Sequence, residues 1–268
     1  MLNKPLKGGC ALITGASAGI GEAFAREFAS KGFNLILVAR RADKLEQLGA
    51  ECTEKYGVDV HLRPCDLLAP SSAEDLYAAC SDIEVDVLIN NAGLMYRGPF
   101  SQHEPDDISA LLQLNVVTLS SLTRLFLPPM LKRRRGRILN VTSTVGFHAS
   151  PSMAVYAASK AYILSLTETL SVELHDSGVL ATAFCPGPTD TEMVAESYGE
   201  ELRSNPVSAM LMLSSREVAK QGYKACMTGD AIAVPGVANH FFNTLGRLQP
   251  RWLSRRFHRY LDKQLADS

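Results

Sequence analysis

Short apolar runs alternate with longer segments of helical periodicity along most of the chain. Residues 10–13 and 34–39 are two such runs, and the segment between them carries Ala23, Phe24 and Phe28 on one helical face. Short apolar runs predict buried strands, and their alternation with amphipathic helices is typical of βαβ units. We therefore predict an α/β fold with a doubly wound parallel sheet in a three-layer α/β/α arrangement.

The same alternation continues through the rest of the chain. Further strands are predicted at residues 58–63, 85–89, 137–141, 179–185 and 231–234. Further helices are predicted at residues 72–80, 106–126 and 152–176. We assign residues 1–240 to a single domain with a substrate lid at about residues 192–215. We assign residues 241–268 to a C-terminal helical tail that packs on the same domain or on a neighbouring subunit.

Composition narrows the class of protein. A chain of 268 residues suits one large α/β domain. The net charge of -1 gives no general signal for nucleic acid, and we expect none as a partner. The six cysteines are scattered without a CxxC pair, so we expect reduced core thiols and no metal site. The N-terminal residues lack the apolar core of a signal peptide, and we expect a cytoplasmic protein.

A glycine-rich turn, Thr14-Gly15-Ala16-Ser17-Ala18-Gly19-Ile20-Gly21, follows the first strand and opens the first helix. Glycines at such a turn allow the backbone to approach a pyrophosphate at the helix N-terminus. The spacing is GxxxGxG rather than the commoner GxGxxG. An ordinary strand-to-helix turn is the alternative, but the second strand at βαβ distance favours dinucleotide binding.

Tyr156 and Lys160 lie four residues apart in a segment of helical composition. One helical turn separates such residues, so both side chains share one face. A free tyrosine has a pKa of about 10, and a neighbouring ammonium is expected to lower it. The pair predicts a phenol that transfers protons, although YxxxK also occurs by chance on solvated helices.

The motifs together resemble the short-chain dehydrogenase/reductase family of the common single-domain type, which has a Rossmann fold. The resemblance rests on the glycine turn, Asn90-Asn91-Ala92-Gly93, Asn115, Ser143, the Tyr156–Lys160 pair and residues 186–191, and it covers roughly residues 8–235. It implies an oxidoreductase that reduces a ketone or aldehyde, or oxidises the matching alcohol. A non-catalytic cofactor-binding sensor and a membrane-surface reductase of lipid or acyl carbonyls are the alternatives.

The resemblance also implies the catalytic roles. Tyr156 is the general acid, and Lys160 lowers the pKa of Tyr156 while holding the nicotinamide ribose. Ser143 hydrogen-bonds the substrate oxygen, and Asn115 organises a water near Lys160. A strand-end hydroxyl bonded to its own backbone is the alternative for Ser143, and a polar kink in a buried helix is the alternative for Asn115.

Further cofactor contacts are implied at the strand ends. Asp66 is expected at the adenine edge, and Thr189 and Thr191 at the nicotinamide carboxamide. A cap for the next helix is the alternative for Asp66, and a polar loop with a helix cap is the alternative for the two threonines. The implied cofactor-binding residues are Gly15, Ser17, Ala18, Gly19, Ile20, Gly21, Asp66, Leu67, Asn91, Ala92, Gly93, Tyr156, Lys160, Pro186, Gly187, Thr189 and Thr191.

The end of the second strand predicts which dinucleotide is used. It reads Val38-Ala39-Arg40-Arg41, with no acidic residue before Asp43. An enzyme for NAD(H) places Asp or Glu here to hold the ribose hydroxyls, whereas Arg binds a 2′-phosphate in a planar fork. We therefore predict NADP(H), with Arg40 the better candidate for the phosphate and Arg41 the second.

The substrate and the partners are less well specified. Met95 and His148 follow strand-end motifs and are candidates for contact with a small carbonyl or alcohol, beside Ser143 and Tyr156. We expect a homodimer or homotetramer through the helices at 106–126 and 152–176. The tail has six Lys or Arg against two Asp between Phe241 and Ser268. We favour a subunit contact for it over a membrane surface.

Overall fold

The computed structural model describes residues 6, 8–198 and 210–248. Its strands in this part of the chain are β1 Cys10–Thr14, β2 Asn34–Ala39, β3 Val60–Pro64, β4 Val87–Asn90, β5 Gly136–Val141, β6 Val179–Phe184, β7 Thr189–Asp190, β8 Leu213–Ser214 and β9 Ile232–Ala233. A parallel sheet of seven strands has the order β3-β2-β1-β4-β5-β6-β9, and β7 pairs with β8 separately. The order reverses at β1 and β4, where ligands of doubly wound sheets bind.

Helices cover both faces of the sheet. They are α1 Gly19–Ser30, α2 Ala42–Tyr56, α3 Ser72–Ala78, α4 Pro105–Leu112, α5 Leu119–Arg133, α6 Ala154–Glu173, α7 Glu192–Tyr198, α8 Ser215–Thr228 and α9 Val237–Leu248. Alternate residues of β1 enter opposite cores: Ile13 packs with α1, α2 and α8, and Leu12 packs with α3 and α5. Because both faces are buried, the strands read as continuous apolar runs.

The predicted fold is confirmed, and most predicted elements are present with ends shifted by a few residues. The helix predicted at 106–126 is divided. A π-helical turn, Gln113–Thr118, separates α4 from α5. The wide turn contains Asn115, whose buried side chain hydrogen-bonds the loop after β4. Periodicity does not reveal such a turn, because it changes the helical phase by a single residue.

Buried amides join the strands beneath the carboxyl edge of the sheet. Asn90 and Asn140 are paired in register on β4 and β5, and the Asn90 side chain donates to Asn140 at 2.8 Å and to Thr123 at 3.0 Å. Asn140 in turn donates to Thr167 on α6 at 2.9 Å. This network ties α5 and α6 to the strand ends, although the buried Asn90 Oδ1 has no hydrogen-bond partner within it.

The helical segment Pro105–Arg133 is long and apolar enough to cross a membrane by length and composition. Within this fold it forms a core layer instead. Leu122, Phe126 and Met130 are buried against the sheet, and Tyr77 of α3 stacks edge-on against Phe126. A helix that packs in a buried α/β layer is expected to be this apolar.

The lid and the tail are described in part. The predicted lid contains α7, and its residues 199–209 lie outside the described chain. Helix α9 crosses the boundary predicted at residue 240, so the described part of the tail is continuous with the domain. Asn239 in its first turn is buried and donates to the Leu211 carbonyl at 3.0 Å. Residues 249–268 also lie outside the described chain.

Candidate active site

The glycine turn lies where the predicted pyrophosphate site requires it. Gly15 and Gly19 have φ angles of 67° and 56°. These values lie in the left-handed region, which residues with a Cβ atom rarely adopt. A Cβ at Gly21 would lie 2.2 Å from the Gly15 carbonyl oxygen, so only glycine fits there. Asn91 donates from its amide to the Thr14 carbonyl at 3.0 Å, which holds the end of β4 against the turn. The Asn91 backbone N–H donates to the Thr14 hydroxyl at 3.0 Å.

The two arginines after β2 differ in their surroundings. Arg41 donates to the Ser17 hydroxyl at 3.2 Å and forms an ion pair with Glu192 of α7 at 3.3 Å. Arg40 lines the same cleft, and among the described residues it has no hydrogen bond or ion pair. No carboxylate lies within the last residues of β2. The contact of Arg40 with a phosphate stays a prediction.

Asp66 and Leu67 line the cleft beside Arg40. The Asp66 carboxylate accepts a hydrogen bond from the Leu68 backbone N–H at 3.1 Å, which is an Asx turn. The Leu67 carbonyl accepts from Thr118 of the π turn at 2.9 Å. Both residues thus have a structural role, and their second role as cofactor contacts stays a prediction.

Three side chains of the predicted catalytic set meet at the carboxyl ends of β5 and β6. Ser143 follows β5, and Tyr156 and Lys160 lie one turn apart on α6. The Ser143 hydroxyl donates to the Pro186 carbonyl and accepts from the Val145 N–H, both at 3.4 Å, so the backbone-bonded alternative for Ser143 is present. Ser143 and Tyr156 line the same cleft, and the hydroxyl lies near enough to the phenol to affect its pKa. The buried Lys160 ammonium donates to the Val141 carbonyl at 3.0 Å and lies 5.5 Å from the centroid of the Tyr156 ring.

The electrostatics differ from the expectation in one respect. Burial raises the pKa of Tyr156 to about 12, and the neighbouring Ser143 hydroxyl opposes that rise. The pKa of Tyr156 in the protein alone is thus raised rather than lowered, because burial penalises the charged phenolate. The contribution of Lys160 to this pKa stays a prediction. Burial also lowers the pKa of Lys160 to about 8, so the ammonium is charged at neutral pH but less firmly than a free lysine.

Asn115 supports this group from below. Its amide donates to the Leu94 carbonyl at 2.9 Å and accepts from the Leu94 N–H at 2.8 Å. It also donates to Ser159 at 3.2 Å. A Cβ placed on Gly93 would lie 3.2 Å from the Asn115 oxygen and 3.6 Å from Lys160 Nζ. Asn115 thus fixes the loop after β4 beside Lys160, and its predicted role in organising water is a separate prediction.

The sequence matches the family model for short chain dehydrogenases over residues 9–202. This chain belongs to the short-chain dehydrogenase/reductase family. A very-long-chain 3-oxoacyl-CoA reductase of Anas platyrhynchos is 34% identical over 197 residues, which cover 70% of this chain and 62% of that protein. The match thus spans less than two thirds of that reductase.

Solved structures of the family have the same fold. A short-chain dehydrogenase from Sphingobium yanoikuyae in complex with NADPH has a TM-score of 0.80 and 30% identity over 89% of this chain and 92% of its own. A 7β-hydroxysteroid dehydrogenase has a TM-score of 0.85 and 26% identity over 98% of this chain and 100% of its own. The present chain therefore shares the fold of solved short-chain dehydrogenases over most of its length.

One cleft brings most of the predicted site residues of this chain together. It has a smaller part of about 270 Å³ at the end of β2 and a larger part of about 580 Å³ that reaches α7. The predicted residues that line it are Gly15, Ser17, Ala18, Gly19, Ile20, Arg40, Arg41, Asp66, Leu67, Asn91, Ala92, Gly93, Met95, Ser143, Tyr156, Lys160, Pro186, Gly187, Thr189 and Thr191. Three features of this cleft fit a phosphorylated dinucleotide beside a carbonyl substrate. They are the guanidinium groups of Arg40 and Arg41, the glycine turn, and the Ser143–Tyr156–Lys160 group.

Three predicted residues lie outside this lining. Gly21 and Asn115 act beneath it, as described above. His148 caps the 3₁₀ turn Thr144–Phe147 and does not line the cleft within the described chain. The contact of His148 with substrate stays a prediction.

The hydroxyls of Thr189 and Thr191 are engaged within the loop after β6. Thr189 donates to the Gly187 carbonyl at 3.0 Å, and Thr191 accepts from the Val194 N–H at 3.3 Å at the start of α7. The helix-cap alternative for Thr191 is thus present. Both residues still line the cleft, so the carboxamide contact stays a prediction.

The substrate side of the cleft contains residues that the motifs did not identify. Tyr198 at the end of α7 donates to the Met153 sulfur at 3.2 Å, and the Arg97 guanidinium lies 4.5 Å from the centroid of its ring. Glu196 lines the cleft one helical turn after Glu192. Their signal in the sequence is weak, since it amounts to helical spacing after the last family motif.

Proposed function

We propose that this short-chain dehydrogenase/reductase is an NADPH-dependent reductase of apolar ketones or aldehydes, with Tyr156 as general acid. The observation that carries the proposal is the meeting of Ser143, Tyr156 and Lys160 in the cleft that also contains the glycine turn and Arg40. Each of these groups is ordinary alone. Their shared position gives an acid, an oxyanion donor and a cation around one reacting centre.

The chain's own residues supply the proton chemistry. When bound, the nicotinamide ring supplies the hydride that a carbonyl carbon accepts. Tyr156 then donates its phenolic proton to the oxygen, and the Ser143 hydroxyl stabilises the negative charge that develops on the same oxygen. The nearby Lys160 ammonium stabilises the phenolate that remains.

The pKa of about 12 for Tyr156 suits the reducing direction. A phenol with this pKa is fully protonated at neutral pH, which is the form that a general acid requires. Alcohol oxidation requires the phenolate instead, and that form is scarce until the pH is high. We therefore propose carbonyl reduction as the preferred direction near neutral pH.

The preference for NADP(H) rests on charge at the end of β2. Arg40 lines the cleft without a partner among the described residues, and Arg41 lies beside it on Ser17. A guanidinium binds a phosphate through charge-assisted hydrogen bonds, and a carboxylate in its place would repel that phosphate. The complex of the Sphingobium yanoikuyae relative with NADPH supports the same preference.

The proposed substrate is uncharged and apolar near the reacting carbon. Methionine and valine side chains line this end of the cleft, namely Met95, Val145, Met153, Met193 and Val194. Such side chains adapt to irregular apolar shapes. Glu196 adds a carboxylate to the lining of the cleft, which disfavours an anionic group near it.

A panel of neutral ketones and aldehydes of increasing apolar size tests the activity. With the purified protein and NADPH, loss of NADPH absorbance should be fastest for the bulkier apolar ketones. Tight NADPH binding without turnover of any panel member would instead support a non-catalytic sensor.

Reduction of a fatty 3-oxoacyl thioester is the second candidate function. It is supported by the similarity to the very-long-chain 3-oxoacyl-CoA reductase. A 3-oxoacyl-CoA should be compared with a neutral 3-oxo ester of the same chain length. Faster reduction of the CoA thioester would favour the second candidate over the neutral ketone.

Assembly and location complete the proposal. Val117, Tyr162 and Val172 expose 48%, 44% and 75% of their surfaces on the helices that we expect to form a subunit contact. We propose a homo-oligomer through this face and a cytoplasmic location. Light scattering should give the mass of a dimer or tetramer, and sedimentation with anionic liposomes would favour the membrane-surface alternative.

A further inference from the structure

Arg41 joins three parts of the cleft. It follows β2, its Nε donates to the Ser17 hydroxyl of the glycine turn at 3.2 Å, and its Nη2 donates to the Ser17 carbonyl at 3.3 Å. The same guanidinium donates to Glu192 Oε2 at 3.3 and 3.4 Å. Glu192 is the first residue of α7, so a side chain of the lid closes over the cofactor end of the cleft.

The lid also touches the turn through its neighbour. A Cβ placed on Gly19 would lie 3.1 Å from Thr191 Cγ2, so residue 191 is packed directly on the glycine turn. Ser17, Arg41, Thr191 and Glu192 all line the same cleft. The carboxylate of Glu192 is thereby held at the place where the two arginines would meet a phosphate.

We propose that Glu192 is a specificity-determining residue that competes with the 2′-phosphate of the cofactor for Arg41. This inference rests on the proposed use of NADP(H). The carboxylate engages the donors of Arg41 and adds a negative charge beside Arg40, so it weakens binding of a phosphorylated dinucleotide. Glu192 does not weaken the binding of NAD(H) in this way, because NAD(H) lacks the 2′-phosphate. Glu192 therefore reduces the preference for NADP(H) over NAD(H) that Arg40 and Arg41 create.

Glu192 should weaken NADPH binding only modestly, because the side chains of Arg41 and Glu192 are both solvated. The side chains of Arg41 and Glu192 are 46% and 64% exposed. Exposed ion pairs contribute little, so removal of the carboxylate should tighten NADPH binding by about two- to fivefold. The effect should decrease as the salt concentration rises, since salt screens exposed charges.

The test is a titration of the full-length protein with NADPH and NADH by fluorescence. Glu192→Gln should tighten NADPH and leave NADH unchanged. Glu196→Gln is the matched control. Glu196 lies one turn after Glu192 on α7, lines the same cleft and has no ion pair among the described residues, so the variant removes the same charge without breaking an ion pair. In an Arg41→Gln background, the effect of Glu192→Gln should shrink.

Two results would overturn the inference. Weaker NADPH binding by Glu192→Gln would mean that the carboxylate orients Arg41 for the phosphate. An equal effect on both cofactors, or an equal effect of Glu196→Gln, would mean a general charge effect. Equal affinity of the unmutated protein for NADPH and NADH would instead count against the proposed function, so the two failures are distinguishable.

Discussion

The two ends of the cleft are held in different ways. At the glycine turn, backbone groups and buried polar side chains fix the geometry, as in the bonds of Asn91 to Thr14. At the lid, the contacts of α7 are made by side chains: the ion pair of Glu192, the Tyr198 contact with Met153, and the stacking of Arg97 on Tyr198. We therefore expect the strand-end region to accept few residue types and the lid to tolerate more substitutions.

The largest effect should come from the strand-end region. Tyr156→Phe removes the proposed acid while keeping the ring, so turnover of a ketone should fall by about 10²- to 10⁴-fold. NADPH affinity should change little, because the rest of the cleft is intact. Steady-state kinetics and a fluorescence titration measure the two quantities.

Tyr162→Phe is the matched control for that variant. Tyr162 lies on the same helix, is 44% exposed and hydrogen-bonds Ser120 at 3.1 Å. It should keep full activity. If Tyr156→Phe retained most of its turnover, another residue would be the acid and the strand-end region would lose its assigned role.

The difference between the strand-end region and the lid explains which structural features could be predicted from the sequence. The strands, the glycine turn and the Tyr156–Lys160 pair were predicted because backbone geometry and burial restrict which residues fit there. The raised pKa of Tyr156 was not, because desolvation depends on residues distant in sequence. The π turn around Asn115 also depends on tertiary contacts. The lid is specified by side-chain pairs, which leave no periodic pattern.

Lys160→Met should separate stability from function in the strand-end region. Burial lowers the pKa of Lys160 from 10.5 to about 8, so the folded state binds this proton less tightly than the unfolded state. That difference corresponds to roughly 3 kcal/mol of lost stability. Lys160→Met removes this penalty, but it also removes the hydrogen bond to Val141, which costs about 1–2 kcal/mol of stability. The variant should therefore unfold with a free energy about 1–2 kcal/mol higher near neutral pH, while its turnover collapses.

The pH dependence gives the sign of this effect. The penalty of the buried ammonium is fully present below about pH 8 and is lost as the pH rises to 10.5, where the unfolded chain also releases the proton. The stability gain of Lys160→Met should shrink over that interval in denaturant titrations. A variant less stable than the parent at neutral pH would show that the hydrogen bond to Val141 outweighs desolvation.

Arg40→Asp tests the cofactor end of the comparison. A charge-assisted phosphate contact contributes about 1.5–3 kcal/mol, so NADPH affinity should fall by about ten- to a hundredfold. NADH affinity should be unchanged or improved, since Asp can hold ribose hydroxyls. Arg124→Asp on α5 makes the same charge change away from the cleft and should affect neither cofactor. A similar loss in both variants would reduce the role of Arg40 to general charge.

The smallest predicted effect lies in the lid. Met193 of α7 lines the substrate side of the cleft and is 38% exposed, so it contributes part of its apolar surface to a substrate. Met193→Ala should raise KM for a bulky ketone by about two- to tenfold, from roughly 0.5–1.5 kcal/mol of lost apolar burial. NADPH affinity should stay the same. Met210→Ala is the control, because Met210 is 60% exposed and does not line the cleft within the described chain. If Met193→Ala changed cofactor affinity as strongly as KM, the lid and the strand-end region would act as one unit, and the contrast between them would not hold.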